Sequence, residues 1–175
     1  MKKIGLLGCG AIGTQIALAI DSGKIPGILT HVYDSSKDAS SILVQKLKHK
    51  PEIVENPHLL SSHPVDIIVE AASQEAVRNV AHSVLQNKRD LMIMSVGALL
   101  DESIYDILSE ACEHFHKTIY LPSGAIAGLD AIKSVADQLD SVTLTTTKHP
   151  RSLKNAKFFE TSDIDLDKIN TSTII

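Results

Sequence analysis

The stretch KIGLLGCGAIG, residues 3–13, runs from an apolar segment directly into three glycines with the spacing Gly-x-Gly-x-x-Gly. Apolar residues follow at helical spacing from Ile16 to Ile20. In a strand–turn–helix unit that binds a dinucleotide, Gly8 permits the tight turn, Gly10 lets the backbone approach a pyrophosphate, and Gly13 lets the helix pack closely on the sheet. The stretch therefore predicts a dinucleotide-binding turn.

The start of the predicted helix supplies the phosphate-binding groups. The backbone amides at Gly10, Ala11, Ile12 and Gly13 face the expected phosphate position, with the positive end of the helix dipole behind them. Glycine-rich turns are common, so the turn alone is a weak indication. Its position between an apolar strand and an apolar helix strengthens it.

An acidic residue at the end of the next predicted strand narrows the choice of cofactor. Asp34 follows residues 28–33 and lies 21 residues beyond Gly13, where a carboxylate accepts hydrogen bonds from the adenosine ribose. The plainer interpretation is a solvated strand end. An acid here disfavours the additional phosphate of NADP, although the neighbouring Lys37 is able to accommodate it. We therefore expect NAD, with NADP left open.

Strands and helices alternate along the rest of the first 140 residues. This pattern predicts an α/β fold, a Rossmann-type doubly wound parallel sheet. The segment between Pro51 and Pro64 is predicted to be irregular. Residues 141–147 are predicted to form a strand with one exposed face. We expect an NAD(P)-binding domain at residues 1–140 and only the beginning of a second α+β domain at residues 141–175.

Small residues follow three further predicted strands. In such a fold, ligands lie outside the carboxyl ends of the strands, so these residues are expected to converge with the glycine turn on one crevice. The alternative is close packing of loops without a ligand. The predicted cofactor-binding positions are Ala71, Ala72, Ser73, Ser95, Gly97 and Ala125.

Composition excludes some function classes. A net charge of −4 and a pI near 6.0 give no excess of positive charge that would indicate binding to nucleic acid or to an anionic membrane. Cys9 and Cys112 have no metal-ligand or disulfide spacing and are interpreted as small core residues in a reducing compartment. With no signal peptide expected, the sequence predicts a cytoplasmic protein. His58 and His63 are interpreted as solvated loop residues, and no metal is expected.

Four motifs, in order, resemble L-aspartate dehydrogenase: LGCGAIG at residues 7–13, EAASQEAV at 70–77, MSVGAL at 94–99 and PSGAIAGLDAI at 122–132. This resemblance implies an NAD(P)-dependent oxidoreductase that converts L-aspartate to iminoaspartate, or the reverse, within NAD biosynthesis. We also expect a homo-oligomer.

The family's catalytic histidine lies in a second domain, and no residue of this sequence matches it. His149 is nearest by position but precedes that domain, so the catalytic residue is left unknown. Without a positioned acid or base, proton transfer loses roughly 10²- to 10⁴-fold in rate. We expect weak cofactor binding and little or no turnover from the chain as written, which we interpret as truncated.

Two other function classes stay open. Homoserine dehydrogenases, dihydrodipicolinate reductases and sugar-type dehydrogenases have the same kind of cofactor domain, but lack the stretch from Ser123 to Asp130 as it stands here. A non-enzymatic dinucleotide-binding module is the third possibility. Either self-association through residues 142–147 or disorder after about Pro150 is expected, because this strand and the pair Phe158–Phe159 would face a missing sheet.

Overall fold

The computed structural model describes residues 1–124, 128–150 and 164–171, together with positions 153, 159, 162 and 173. The chain divides into two compact units, residues 1–127 and residues 128–175, which are treated separately below. The predicted domain boundary between residues 140 and 141 stays a prediction.

The first unit is built on a six-stranded sheet in which all neighbouring strands are parallel, in the order β3-β2-β1-β4-β5-β6. Because β1 lies between β2 and β4, the direction of winding reverses there, which defines the switch point of a doubly wound sheet. The predicted Rossmann-type fold is confirmed. The strands are β1 Lys3–Leu7, β2 Ile28–Tyr33, β3 Glu52–Ile53, β4 Ile67–Glu70, β5 Asp90–Ile93 and β6 Ile119–Tyr120.

Helices follow most of these strands, and side-chain caps mark where several of them begin. The Ser36 hydroxyl accepts a hydrogen bond from the Ala39 amide at the start of α2, and the Asp101 carboxylate accepts one from the Ser103 amide at the start of α5. No helix in the described part of the chain has the length and apolar character needed to cross a bilayer. The helices of this unit are α1 Ala11–Asp21, α2 Lys37–Lys46, α3 Leu59–Ser62, α4 Gln74–Gln86 and α5 Glu102–Phe115, with a 3-10 helix at Val96–Leu100.

Two apolar clusters cover the two faces of the sheet. Leu6 and Leu7 are sequence neighbours in β1 but belong to opposite clusters, as do Ile68 and Val69 in β4. One cluster includes α1 and α2, and the other includes α3, α4 and α5. Because the central strands are buried on both faces, they read in sequence as continuous apolar runs.

The segment between Pro51 and Pro64 contains regular structure, so the expectation of an irregular segment is wrong. Glu52 and Ile53 pair with His31 and Val32 to form edge strand β3. Only two residues pair, which is too short for an alternating sequence pattern to be visible. The segment then forms the short helix α3.

The second unit contains α6, Leu129–Ser134, and 3-10 turns at Ala136–Gln138 and Leu166–Lys168. The predicted strand over residues 141–147 is wrong, since residues 141–149 form no strand and Val142 and Leu144 are exposed. A strand is stabilised by hydrogen bonds to a neighbouring strand. Alternating threonines favour an extended backbone but supply no partner.

Candidate functional site

The candidate site lies at the carboxyl edge of the sheet, at the switch point. Leu7, the last residue of β1, pairs with Glu70, the last residue of β4. The glycine turn and the loop after β4 therefore leave the sheet side by side. The Ala71 amide donates a hydrogen bond of 2.7 Å to the Leu7 carbonyl, which extends the ladder into the two loops.

Two of the three glycines are required by the protein's own packing. Gly8 has φ +100°, and a Cβ atom placed there would lie 2.6 Å from the backbone carbonyl group of Ala71. A Cβ atom at Gly13 would overlap the carbonyl oxygen of Gly8. The tight turn and the close contact between α1 and β1 therefore account for these two positions.

Gly10 is different, because nothing in the described part of the chain requires a glycine there. Its φ of −69° is open to any residue. Apart from Gly10 and its neighbours along the chain, no described residue has an atom within 4 Å of the position that a Cβ would take. Gly10 is exposed, and it gives α1 no side-chain cap. The open space lies where a pyrophosphate would approach the backbone, so the turn fits a dinucleotide.

The start of α1 carries the remaining predicted phosphate-binding positions. Ala11 and Ile12 are exposed, whereas Gly13 is buried against the sheet. The Thr14 hydroxyl donates to the Cys9 carbonyl oxygen, and the Thr14 amide donates to the Gly10 carbonyl oxygen. These bonds hold the turn while the preceding amides remain at the uncapped end of an 11-residue helix.

Asp34 lies beside the glycine turn, at the end of β2. Its Oδ2 accepts a hydrogen bond from the Cys9 amide at 2.7 Å, and its Oδ1 accepts one from the Ser36 amide at 2.8 Å. The side chain is half-buried. Each carboxylate oxygen has two acceptor positions, so Asp34 is able to hold the turn and to accept further bonds from ribose hydroxyls.

Cys9 occupies the interior of the turn as a small core residue, as the sequence predicted. It is buried, and its thiol contacts the Tyr33 carbonyl oxygen at 3.7 Å. Burial, together with the nearby Asp34 carboxylate, raises the pKa of the Cys9 thiol to about 12. The thiol therefore remains protonated at neutral pH and is not a nucleophile.

Glu70 joins the loops after β4 and β5. Its side chain is buried, and its Oε1 accepts bonds from the Ala72 amide at 2.7 Å and the Ser95 hydroxyl at 2.8 Å. Its Oε2 accepts a bond from the Ser95 amide at 3.0 Å. Sequence reasoning missed this role and treated Glu70 only as part of a strand. The available indication was an acid at the end of an otherwise apolar buried strand.

The structure places the other predicted residues along the same edge. Ala71 and Ala72 lie against Gly8, and a Cβ atom at Gly97 would lie 2.5 Å from the Gln74 side-chain nitrogen, so the loops after β4 and β5 are in contact. The Ser73 hydroxyl accepts a bond from the Ala76 amide and caps α4. Ala125 lies outside the described residues.

The loop histidines have contacts within the protein. The His63 ring stacks on the buried His31 ring with 4.1 Å between centroids, and His58 Nδ1 lies 3.1 Å from the Ser83 hydroxyl. Burial, with the nearby His63, lowers the pKa of His31. Among the described residues, no group of three His, Cys, Asp or Glu side chains is placed to hold a metal ion.

Two family models match the chain. The model described as "Homoserine dehydrogenase, NAD binding domain" matches residues 8–122, and the model described as "Aspartate dehydrogenase, C-terminal" matches residues 130–175. An L-aspartate dehydrogenase of Nitrosopumilus maritimus is 75% identical over the whole chain, which covers 64% of that relative. An L-aspartate dehydrogenase of Methanococcoides burtonii is 44% identical, with 65% of that relative covered. The chain thus spans slightly less than two thirds of the length of these relatives.

Solved structures share the fold. Aspartate dehydrogenase from Thermotoga maritima superposes with a TM-score of 0.58 at 23% identity, over 78% of this chain and 52% of that one. Apo scyllo-inositol dehydrogenase from Lactobacillus casei gives 0.65 at 17% identity, over 79% and 41%. At these identities the likeness concerns the fold alone.

Replacing Gly10 by alanine should weaken dinucleotide binding without unfolding the protein. The new methyl group meets no protein atom, so the melting temperature should stay within about 2 °C. It would occupy the space next to a bound pyrophosphate, so the affinity for NADH should fall by about tenfold or more. Fluorescence titration and thermal unfolding measure the two effects.

The matched control is Gly13→Ala, whose methyl group would overlap the Gly8 carbonyl oxygen. This variant should lose stability by about 1–3 kcal/mol, as overpacked sites do. Unchanged NADH affinity in a folded Gly10→Ala variant would contradict the assignment of the glycine turn.

Proposed function

We propose that this chain, which belongs to the family of NAD-binding domains described for homoserine dehydrogenase, forms the cofactor-binding part of an L-aspartate dehydrogenase. The reaction is the NAD(P)-dependent oxidation of L-aspartate to iminoaspartate, or the reverse reductive amination. The resemblance to L-aspartate dehydrogenases predicted from four motifs is confirmed over the full length of the chain. The observation that supports the proposal most directly is the open space at Gly10, beside a helix with no side-chain cap.

The chain has residues that bind each part of the cofactor. The glycine turn and the first amides of α1 bind the pyrophosphate, and Asp34 accepts hydrogen bonds from the adenosine ribose. The remaining half of the dinucleotide crosses the loops that contain Ala72 and Ser95, which Glu70 holds together. When bound, the cofactor accepts or supplies the hydride, and the chain's residues hold and orient it.

Activity measurements test the substrate and the extent of the chain's own activity. We expect saturable NADH binding and NADH formation that is faster with NAD⁺ and L-aspartate than with NAD⁺ and L-homoserine. Equal rates with the two amino acids would contradict the substrate, and absence of NADH binding would contradict the function.

Asp34 should set the preference for NAD over NADP. The wild-type chain should bind NADH more tightly than NADPH, because the carboxylate repels the additional phosphate. In Asp34→Asn, which retains one oxygen to accept the Cys9 or Ser36 amide, the ratio of the two affinities should fall by about tenfold. Fluorescence titration with each reduced cofactor measures the ratio.

Asp38→Asn is the matched control, because Asp38 is exposed in the first turn of α2. Removing its charge should leave the ratio of the NADH and NADPH affinities within about twofold of wild type. A wild-type chain that binds NADPH as tightly as NADH would show that Asp34 does not select the cofactor.

We also propose that the protein is a homo-oligomer. Within the second unit, Val142 and Leu144 expose 59% and 62% of their surface, which supports self-association there. Sedimentation velocity should therefore give a species larger than 18.9 kDa. Replacing both residues with threonine should shift this species towards monomer. A wild-type monomer across the micromolar range would contradict the proposal.

A cytoplasmic location is proposed on the basis of the cysteines. Cys9 and Cys112 are both free thiols, and free thiols are typical of a reducing compartment. Recovery of the native protein in the cytosolic fraction would agree with this, and recovery outside the cell would not.

A further inference from the structure

The Glu70 carboxylate has an unusual environment for a charged group. Only 1% of the residue is exposed, and it follows three apolar residues of the central strand β4. Its three hydrogen bonds all come from neutral donors: the Ala72 amide, the Ser95 amide and the Ser95 hydroxyl. The charge is therefore compensated by dipoles.

No cation in the described part of the chain is paired with this carboxylate. Among the ion pairs formed by the described residues, none involves Glu70. A buried carboxylate without a cationic partner is costly, because water is lost and little Coulomb attraction replaces it. A neutral side chain would join the two loops at a lower cost. The charge itself is thus the feature that needs an explanation.

The position of Glu70 relative to the cofactor follows from the sheet order. The glycine turn after β1 takes the pyrophosphate, and Asp34 at the end of β2 takes the adenosine side. The other half of the dinucleotide must extend in the opposite direction, across the ends of β4 and β5. Glu70 ends β4 and its carboxylate contacts Ser95, just beyond β5.

We propose that the buried Glu70 carboxylate favours binding of the oxidised cofactor over the reduced one. This rests on the proposed dinucleotide-binding function. The nicotinamide ring is cationic in NAD⁺ and neutral in NADH, whereas the pyrophosphate and adenosine parts are the same in both. A fixed negative charge under this half of the crevice stabilises the cationic ring and makes the bound cofactor a weaker oxidant.

The test is the ratio of the affinities for NAD⁺ and NADH in Glu70→Gln, measured by calorimetry on the 175-residue chain. Removing the charge should lower the affinity for NAD⁺ relative to NADH by about tenfold. Effects on the loops that change both affinities equally cancel in the ratio. A purely structural role for Glu70 would leave the ratio unchanged, and that result would overturn the proposal.

Glu70→Asp is the matched control, because it retains the charge while shortening the side chain. Its NAD⁺/NADH ratio should stay within about twofold of wild type, even if both affinities fall. A shift in Glu70→Asp as large as that in Glu70→Gln would overturn the proposal by showing that geometry is responsible. Circular dichroism establishes that each variant is folded.

Ser95→Ala provides an independent test if Glu70→Gln does not fold. This variant removes one hydrogen-bond donor to the carboxylate and retains the carboxylate itself. The affinity for NAD⁺ relative to NADH should therefore stay unchanged or increase. A decrease in the affinity for NAD⁺ relative to NADH would overturn the proposal. A wild-type chain that binds neither cofactor would instead contradict the proposed function itself.

Discussion

The candidate site depends on the close contact between the glycine turn and the backbone around it. Gly8 approaches the Ala71 carbonyl group so closely that a Cβ atom cannot be accommodated, and Gly13 approaches the Gly8 carbonyl oxygen in the same way. These contacts bring the start of α1 over the end of β1, at the switch point of the sheet. The space beside Gly10 exists because its two neighbouring glycines are held in place by packing.

The two halves of the candidate site present different charges. On one side, the uncapped end of α1 presents amides and a positive dipole end, which suit the negatively charged pyrophosphate. On the other side, Glu70 holds the loops after β4 and β5 with a buried negative charge. Asp34 contributes a second carboxylate, half-buried and bonded to the turn. Under the proposed function, the positive end of the α1 dipole suits the pyrophosphate and the Glu70 carboxylate suits the cationic nicotinamide ring.

Much of the first unit could be predicted from the sequence because its local patterns agree with its tertiary structure. Gly8 and Gly13 stand where the backbone packing excludes a Cβ atom, and Asp34 directly follows its strand, so these positions can be recognised in the sequence. Glu70 was missed because its role depends on Ser95, which is 25 residues away, just beyond the neighbouring strand β5. The strand predicted at residues 141–147 was wrong because a strand depends on a partner, which an alternating pattern does not reveal. The two-residue strand β3 was too short to leave any pattern.

The most direct test of the central claim is the change in backbone amide chemical shifts when the isotopically labelled chain is titrated with NADH. The largest changes should occur at Gly10, Ala11 and Ile12, with further changes at Asp34 and in the loops after β4 and β5. Amides at the opposite edge of the sheet, such as Lys88 and Arg89, should not change. Saturable changes confined to that opposite edge, or none at the glycine turn, would contradict the account.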